Sequence, residues 1–451
     1  MAGLGLSELA RYGFVDLEGT VPKLDQLVSA IGDSGRSALA ELGLAANPDQ
    51  ALNALLDLAE IDRSAVKKLL GKTDSAARLV RTFGASSAMV DLVRRRPEFL
   101  NVFDAKESTL PGLAELRKRF DAALDQAKGS AEERWVAIRL VYRRELLRLI
   151  AFDVTQPDSV ETFSDVSRQL SDLATEAMEA GLQVARWELI NTTDHGTFTR
   201  AEVDNTKLAV IAMGKCGARE LNYISDVDVI YVADSGSDEL ERERALEIAT
   251  RLATRMMRAM DGTASEPMLW QVDPNLRPEG KSGALVRTVD SHINYYERWA
   301  QNWEFQALLK ARFAAGDGGL AEEYLGRISP LVWAATAREG FVEAAQKMRE
   351  RVMEHIPENE VNRQIKLGPG GLRDIEFTVQ LLQLVHGRTD ELVRVADTMS
   401  AIASLANGSY MSRADAETFF NHYKFLRTIE HRIQFSQMRR THLMPEADSQ
   451  V

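Results

Sequence analysis

The sequence predicts a mostly α-helical protein with a small α/β unit at its centre and a helical bundle following it. Three observations carry this expectation. Apolar residues recur at helical spacing over most of the 451 residues. Short uninterrupted apolar runs beside glycine, the pattern of buried strands, are confined to the middle of the chain. Proline and glycine are sparse, 12 and 29 residues. The expected regions are a helical lead-in over 1–130, the α/β unit over 131–315 and the helical bundle over 316–451.

In the lead-in, Leu52, Leu55, Leu56 and Ala59 fall on one helical face. Asp91-Leu-Val-Arg-Arg-Arg-Pro-Glu-Phe-Leu100 reads as a solvated helix end stopped by Pro97. Trp135, Ile138, Tyr142, Leu146 and Leu149 share a face and predict an amphipathic helix over 131–153. Asp158 and Ser159 are suitable N-caps for a second long helix over 158–190. The pattern changes near Lys207. Residues 208–213 form a continuous apolar run ahead of a glycine and predict a buried strand. A second strand is expected over 226–232, a helix over 239–261, a third strand over 268–273 and a further one over 283–287. Helical periodicity returns in Phe341, Ala345, Met348 and Val352, then in Phe377, Leu381 and Leu384, then in Phe419, Tyr423, Leu426, Ile429 and Ile433.

Composition excludes several classes. The formal charge of −12 disfavours a general nucleic-acid binder, which needs a basic footprint. The apolar runs are far too short to span a bilayer, and the first ten residues lack the basic-then-apolar pattern of a signal peptide. One cysteine, Cys216, permits no intrachain disulfide, which fits a cytoplasmic protein. Cys216 itself reads as a small apolar residue beside a strand. The seven histidines show no metal-binding spacing, and no Ser-His-Asp or Cys-His order points to a hydrolase.

The informative stretch runs from Met213 to Val232. Gly214 and Gly217 allow a tight turn and close backbone approach, and the short helix after the strand can turn its amides toward an anion. Ser225-Asp-Val-Asp228 then enters the second strand. Side chains alternate along a strand, so Asp226 and Asp228 share one face while Val227, Val229 and Tyr231 take the other. Two adjacent carboxylates repel each other, and divalent cations such as Mg²⁺ would relieve that repulsion through oxygen ligation. Asp273, at the end of the third strand, could complete a set of three carboxylates holding two metals about 4 Å apart, the arrangement that clamps attacking and leaving oxygens in phosphoryl transfer. The competing reading makes Asp226 and Asp228 exposed polar residues on a half-buried strand. Arg277, Lys281 and Ser282, just beyond Asp273, are candidates for phosphate oxygens. Gly280-Lys-Ser282 is not the end of a P-loop, because Asn275 stands where that motif needs glycine and a strand follows.

These residues resemble the family of glutamine synthetase adenylyltransferase/adenylyl-removing enzymes, which are DNA-polymerase-beta-like nucleotidyltransferases. The matching stretches are Gly214-Lys-Cys-Gly-Ala-Arg-Glu-Leu-Asn222 with Ser225-Asp-Val-Asp228, then Val272-Asp-Pro-Asn-Leu-Arg-Pro-Glu-Gly280 with Ser282-Gly-Ala-Leu-Val286. Tyr295-Tyr296, Trp303-Glu304, Leu309-Lys-Ala-Arg312, Ile365-Lys-Leu-Gly-Pro-Gly-Gly-Leu-Arg-Asp-Ile-Glu-Phe377 and Glu430-His-Arg-Ile-Gln434 extend the match over roughly residues 130–445. Departures at Cys216, Ala218 and Pro274-Asn275 leave all three carboxylates in place.

The resemblance implies a nucleotidyltransferase fold for the central unit and a cytoplasmic, Mg²⁺-dependent enzyme. It implies a single half of a longer two-site protein, since only one Ser-Asp-x-Asp is present, and Glu220-Leu-Asn222 is more like the N-terminal, adenylyl-removing half. That activity is phosphorolysis of AMP–tyrosine on adenylylated glutamine synthetase, giving ADP. Metals on Asp226, Asp228 and Asp273 would serve it, with Arg277 and Lys281 assisting and the Gly214–Gly217 turn and Ser225 holding nucleotide phosphates. Lys215 is either a further phosphate contact or a solvent-facing charge. Gly368-Pro-Gly-Gly371 with Arg373 is either a turn and helix start or a loop closing over the nucleotide. Two other functions remain open: the forward, ATP-dependent adenylylation of a glutamine synthetase tyrosine, and a non-catalytic module responsive to a PII-type signalling protein, the family's regulator.

Overall fold

A computed structural model describes residues 5–191, 197–337 and 356–446. The chain forms two compact units. The first comprises the described residues of Met1–Pro111 with Arg143–Val166 and Thr428–Thr441. The second comprises those of Gly112–Tyr142, Ser167–Arg427 and His442–Val451. Among the described residues, no helix is long and apolar enough to cross a membrane.

The first unit is helical. Asn47 accepts the Gln50 N–H (2.9 Å) and caps the helix Pro48–Leu70, whose proline sits where its missing N–H costs nothing. This helix buries Leu52, Leu55, Leu58 and Ala59, with a kink at Asp62. Phe83 and Phe103 meet edge to face with centroids 5.4 Å apart. The helix Ser87–Arg95 stops ahead of Pro97 as expected, and Arg94 pairs with Asp91 and Asp57. The motif Glu430-His-Arg-Ile-Gln434 belongs to this unit. Its Arg432 grips both Asp153 oxygens (2.8 and 2.9 Å).

The long helices form where periodicity placed them, as Ala131–Asp153 and Ser159–Asn191, and Asp158 accepts the N–H groups of Val160 and Glu161. All five residues of the stripe from Trp135 to Leu149 are buried. In the second unit, five strands form a mixed sheet: β1 (Thr206–Ala212), β2 (Val227–Ser235), β3 (Val272–Asp273), β4 (Val286–Arg287) and β5 (Arg312–Gly316). β1 runs antiparallel to both β2 and β5. β3 and β4 pair parallel to successive parts of β2. The third expected strand is thus cut to two residues, and β5, with two alanines and a glycine, has no strand pattern of its own.

One sheet face carries Ala209, Ile211, Met213, Ile230 and Val232. It packs against Val289, Tyr296, Phe305, Leu308, Tyr324 and Ile328 of the helices that follow. The opposite face, including Leu208, Val210, Val229 and Tyr231, is equally buried. The helix Arg242–Asp261 contacts β1 and β2 and buries Ile248, Leu252 and Met256. The helix expected from Phe341, Ala345, Met348 and Val352 lies outside the described residues.

The helix Arg413–Phe435 corrects the expected burial. Of its apolar stripe only Tyr423 is buried. Phe419, Leu426, Ile429 and Ile433 are half-buried, whereas Arg427, Glu430 and Gln434 are fully buried. Apolar spacing pointed to the wrong face because a polar network, described below, occupies the buried one.

Candidate active site

The site is assembled where β1 ends. Met213 N donates to Asp228 O (2.9 Å), fixing the strand end against β2, and the chain then turns through Gly214–Gly217. Gly214 has φ +53°, and a Cβ there would meet Asp228 Oδ2 at 2.6 Å. Glycine alone lets the turn lie this close to the carboxylate. A Cβ at Gly217 would run into the Lys310 carbonyl oxygen. Arg312 on β5 holds the same turn, donating to Gly217 O (3.1 Å) and Cys216 O (3.0 Å). Cys216 is buried, and burial pushes its thiol up to about 11, in keeping with its reading as a small apolar residue.

Asp228 continues the sheet face on which Ile230 and Val232 enter the core. Asp226 stands one residue ahead of β2 and receives a bond from Ser225 Oγ (3.4 Å). Both carboxylates line a cavity of about 330 Å³ together with Gly214, Lys215 and Ser225. The far wall comes from two helices, Asn302–Leu308 and Leu372–His386, and the segments beside them. They contribute Trp303, Gln306, Lys310, Lys366, Arg373 and Glu376, among others. Three acids, Asp226, Asp228 and Glu376, therefore share a cavity with three lysines and an arginine.

A tight turn brings Lys366 and Arg373 together. Leu372 N donates to Ile365 O (3.0 Å) and Arg373 N to Lys366 O (2.9 Å). A Cβ at Gly371 would crowd the carbonyls of Ile365, Lys366 and Gly368. The Arg373 guanidinium stacks over the Phe377 ring at 4.7 Å.

Asp273 is the register partner of Asp228 in the parallel β2–β3 pair, so its side chain emerges on the same face. It lies outside the cavity lining, and its Oδ1 accepts the Asn275 N–H (2.8 Å). Among the described residues, no three His, Cys, Asp or Glu side chains converge closely enough to hold a metal ion. The expected set of three is therefore a cavity-facing pair with a neighbour. The pair itself suits a hard divalent cation, offering oxygen donors beside space for waters and phosphate oxygens.

Gly217, Arg277, Lys281 and Ser282 also lie outside the lining. The Arg277 guanidinium folds back on its own loop, donating to the carbonyls of Pro274 (2.9 Å), Lys281 (3.3 Å) and Gly283 (3.1 Å). Lys281 and Ser282 are exposed on the one-turn helix Gly280–Ser282.

Behind the cavity lies a buried polar network centred on Glu220. Its carboxylate accepts from Lys310 Nζ (3.1 Å), Thr398 N (2.8 Å), Thr398 Oγ1 (3.0 Å) and Tyr423 OH (3.2 Å). Arg427 donates to Glu220 O (2.6 Å) and to Asn222 Oδ1, which also receives Lys215 Nζ (3.3 Å). Burial works against the Lys310 ammonium, but Glu220 and Glu376 outweigh it and raise its pKa. Burial likewise opposes the Glu376 carboxylate, yet Lys310, Lys215, Lys366 and Arg427 pull its pKa below the usual value. Tyr423 is held far above the ordinary phenol, by burial first and then by the two glutamates.

Sequence reasoning assigned no role to Lys310, Lys366, Gln306 or Gln380. The signal was present for two of these: Lys310 and Lys366 fall within stretches quoted for the family resemblance.

The fold and the acid-and-cation cavity set the geometry of the site, and comparison with known proteins gives the class of the chain. A family profile described as glutamate-ammonia ligase adenylyltransferase matches residues 76–327, more than half of the chain, and the protein belongs to that family. A second profile, PII-uridylyltransferase, matches residues 343–451. Similar proteins include the bifunctional glutamine synthetase adenylyltransferase/adenylyl-removing enzymes of Leifsonia xyli subsp. xyli (49% identical), Streptomyces avermitilis (44%) and Mycobacterium avium (43%). Each match covers 99% of this chain and 45%, 43% and 43% of the respective relative. The chain thus spans less than half the length of these curated relatives.

Proposed function

We propose that this chain is the adenylyl-removing nucleotidyltransferase of the family, acting on adenylylated glutamine synthetase in the cytoplasm. An oxygen of inorganic phosphate attacks the AMP phosphorus, the bond to the tyrosine oxygen breaks, and ADP and the tyrosine side chain are released. The observation that carries this reading is the shared cavity of Asp226 and Asp228 with Lys215, Lys310, Lys366 and Arg373. In this reading the central sheet is a DNA-polymerase-beta-like nucleotidyltransferase core.

The chemistry asks little of a base. Phosphate is already an anion, and the leaving tyrosine, with a pKa of about 10, departs more readily than an alkoxide. What must be overcome is repulsion between two phosphates, and the four cations lower it. Asp226 and Asp228 would hold Mg²⁺, with Asp273 beside them, and bound Mg²⁺ supplies charge neutralisation at the phosphate oxygens. The Gly214–Gly217 turn and Ser225 hold nucleotide phosphate. Arg277 shapes the 274–283 loop, which carries Lys281 and Ser282 outward as contacts for incoming phosphate. A PII-type protein is the proposed regulator, a reading supported by the profile match over residues 343–451.

The test is to incubate the chain with adenylylated glutamine synthetase with and without phosphate. Phosphate-dependent ADP release is expected. The forward reaction is the second reading, favoured by the adenylyltransferase activity that the relatives' names also carry. Label incorporation from ATP into unmodified glutamine synthetase, without ADP release from the modified form, would establish it instead. Arg373→Ala is expected to raise the KM for phosphate or modified protein several-fold. Unchanged KM values for both would reduce Arg373 to shaping the start of its helix.

A further inference from the structure

We propose that the adenine base of the nucleotide lies at the Trp303 end of the cavity, with the Gln306–Gln380 amide pair reading its Watson–Crick edge; this rests on the nucleotide reading of the site. The two helices lining the far wall are in antiparallel register. Gln306 Nε2 donates to Gln380 Oε1 (2.7 Å). Lys310, four residues after Gln306, meets the Glu220–Tyr423 network, and so does Glu376, four residues before Gln380. The charged layer and the amide layer are therefore about one helical turn apart, roughly 5.4 Å. Arg373 lies a turn beyond the charged layer, and Trp303 a turn beyond the amides on the other side. The cavity is graded from charged groups at one end, with Phe377 under Arg373, to amides and an indole at the other, the same division a nucleotide carries from phosphate to base.

The apolar end suits a flat ring. Trp303 is 39% exposed, and Ala307 and Leu276 line the cavity with it. An exposed indole is a stacking platform for any base; discrimination must come from polar groups. After the bond between the two amides, Gln306 Oε1 remains as an acceptor and Gln380 Nε2 as a donor, with no protein partner among the described residues. Adenine offers the complement, an N6–H donor beside the N1 acceptor. Hypoxanthine reverses that order, with an O6 acceptor beside an N1–H donor. A base anchored through its phosphates would lose both bonds on that exchange or force both amides to rotate together.

Calorimetric binding of ADP, inosine diphosphate and pyrophosphate to the 451-residue chain with Mg²⁺ tests this. ADP is expected to bind about tenfold or more tighter than inosine diphosphate. Gln380→Met should weaken ADP and close that gap while leaving pyrophosphate within about twofold of its original affinity. Trp303→Ala should weaken both nucleotides together and spare pyrophosphate. Equal binding of ADP and inosine diphosphate, with pyrophosphate still competing, overturns the base assignment and leaves the nucleotide reading intact. Loss of pyrophosphate binding along with ADP in Gln380→Met, at an unchanged melting temperature, also overturns it. No ADP binding by the unaltered chain overturns the nucleotide reading, and this proposal with it.

Discussion

Asp228→Asn is expected to lower phosphate-dependent ADP release at least about a hundredfold, the usual cost of removing a principal electrostatic group, with little change in thermal unfolding. The position explains both parts. Asp228 ends the sheet face whose next members, Ile230 and Val232, are fully buried, so a strand rather than a loop aims its carboxylate. Gly214, at φ +53°, lies so close to that carboxylate that a Cβ there would meet Oδ2 at 2.6 Å. Asparagine keeps the shape and the contact with the turn, and removes only the charge that would hold a cation against phosphate. Asp226→Asn should act in the same direction. In the double variant the losses should not multiply, because both groups serve one charge-stabilising function. Initial rates on adenylylated glutamine synthetase, set beside melting curves, decide the matter. Retention of more than about a tenth of the activity by either single variant would remove the pair from the mechanism.

Strand alternation is a local rule, so the acidic pair could be read from the sequence as a unit; Asp228 lies in β2, Asp226 one residue ahead of it, and both line the cavity. The long helices were legible for the same reason, as were the Asp158 cap and the stop at Pro97. Features set by distant pairing were not. β5 is a strand only because β1 offers it an edge, and β3 and β4 are two-residue segments defined by their register with β2. The cations opposite the carboxylates come from separate stretches, and no spacing rule connects Lys310 to Lys366 or Arg373. Sequence could not show that the Arg277 guanidinium would close its loop on its own carbonyls. The helix Arg413–Phe435 illustrates the general limit. Its apolar period was real, yet Arg427 and Tyr423 face inward because Glu220 and Asn222 require partners, a demand visible only once those segments meet.

That demand leads to the second large effect. Glu220→Leu is expected to destabilise the second unit by about 3–5 kcal/mol, the cost of stripping the partner from a buried charge. The Lys310 side chain is 8% exposed and has Glu220 as its direct carboxylate contact. The same carboxylate also takes the Thr398 N–H and hydroxyl and the Tyr423 hydroxyl, so four donors lose a close acceptor at once, and the longer contacts of Lys310 with Thr398 Oγ1 and of Tyr423 with Glu376 (both 3.5 Å) remain for two of them. Glu220→Gln should cost less, since a carbonyl oxygen remains for part of this set. Glu220→Leu with Lys310→Met should recover only the part of the lost stability that belongs to the stranded ammonium, because an apolar pair replaces the ion pair at little net cost while the Thr398 and Tyr423 donors stay without Glu220. It should not recover ADP release, because Lys310 also lines the cavity. The pairing has a pH signature with a definite sign. The pKa of Lys310 is raised in the folded state, so its contribution is fully present below the ordinary value of 10.5 and is lost as pH rises through the raised one. The pKa of Glu376 is lowered, so its contribution is present above 4.5 and is lost as pH falls through the depressed one. Removing Glu220 leaves the desolvation of Lys310 opposed mainly by Glu376. The alkaline fall in stability should then begin at a lower pH than in the unaltered chain. Urea unfolding followed across pH would measure both the loss at neutrality and that displacement. A Glu220→Leu protein as stable as the original, with its alkaline limb unmoved, would mean that the buried ammonium draws its support from Glu376 alone.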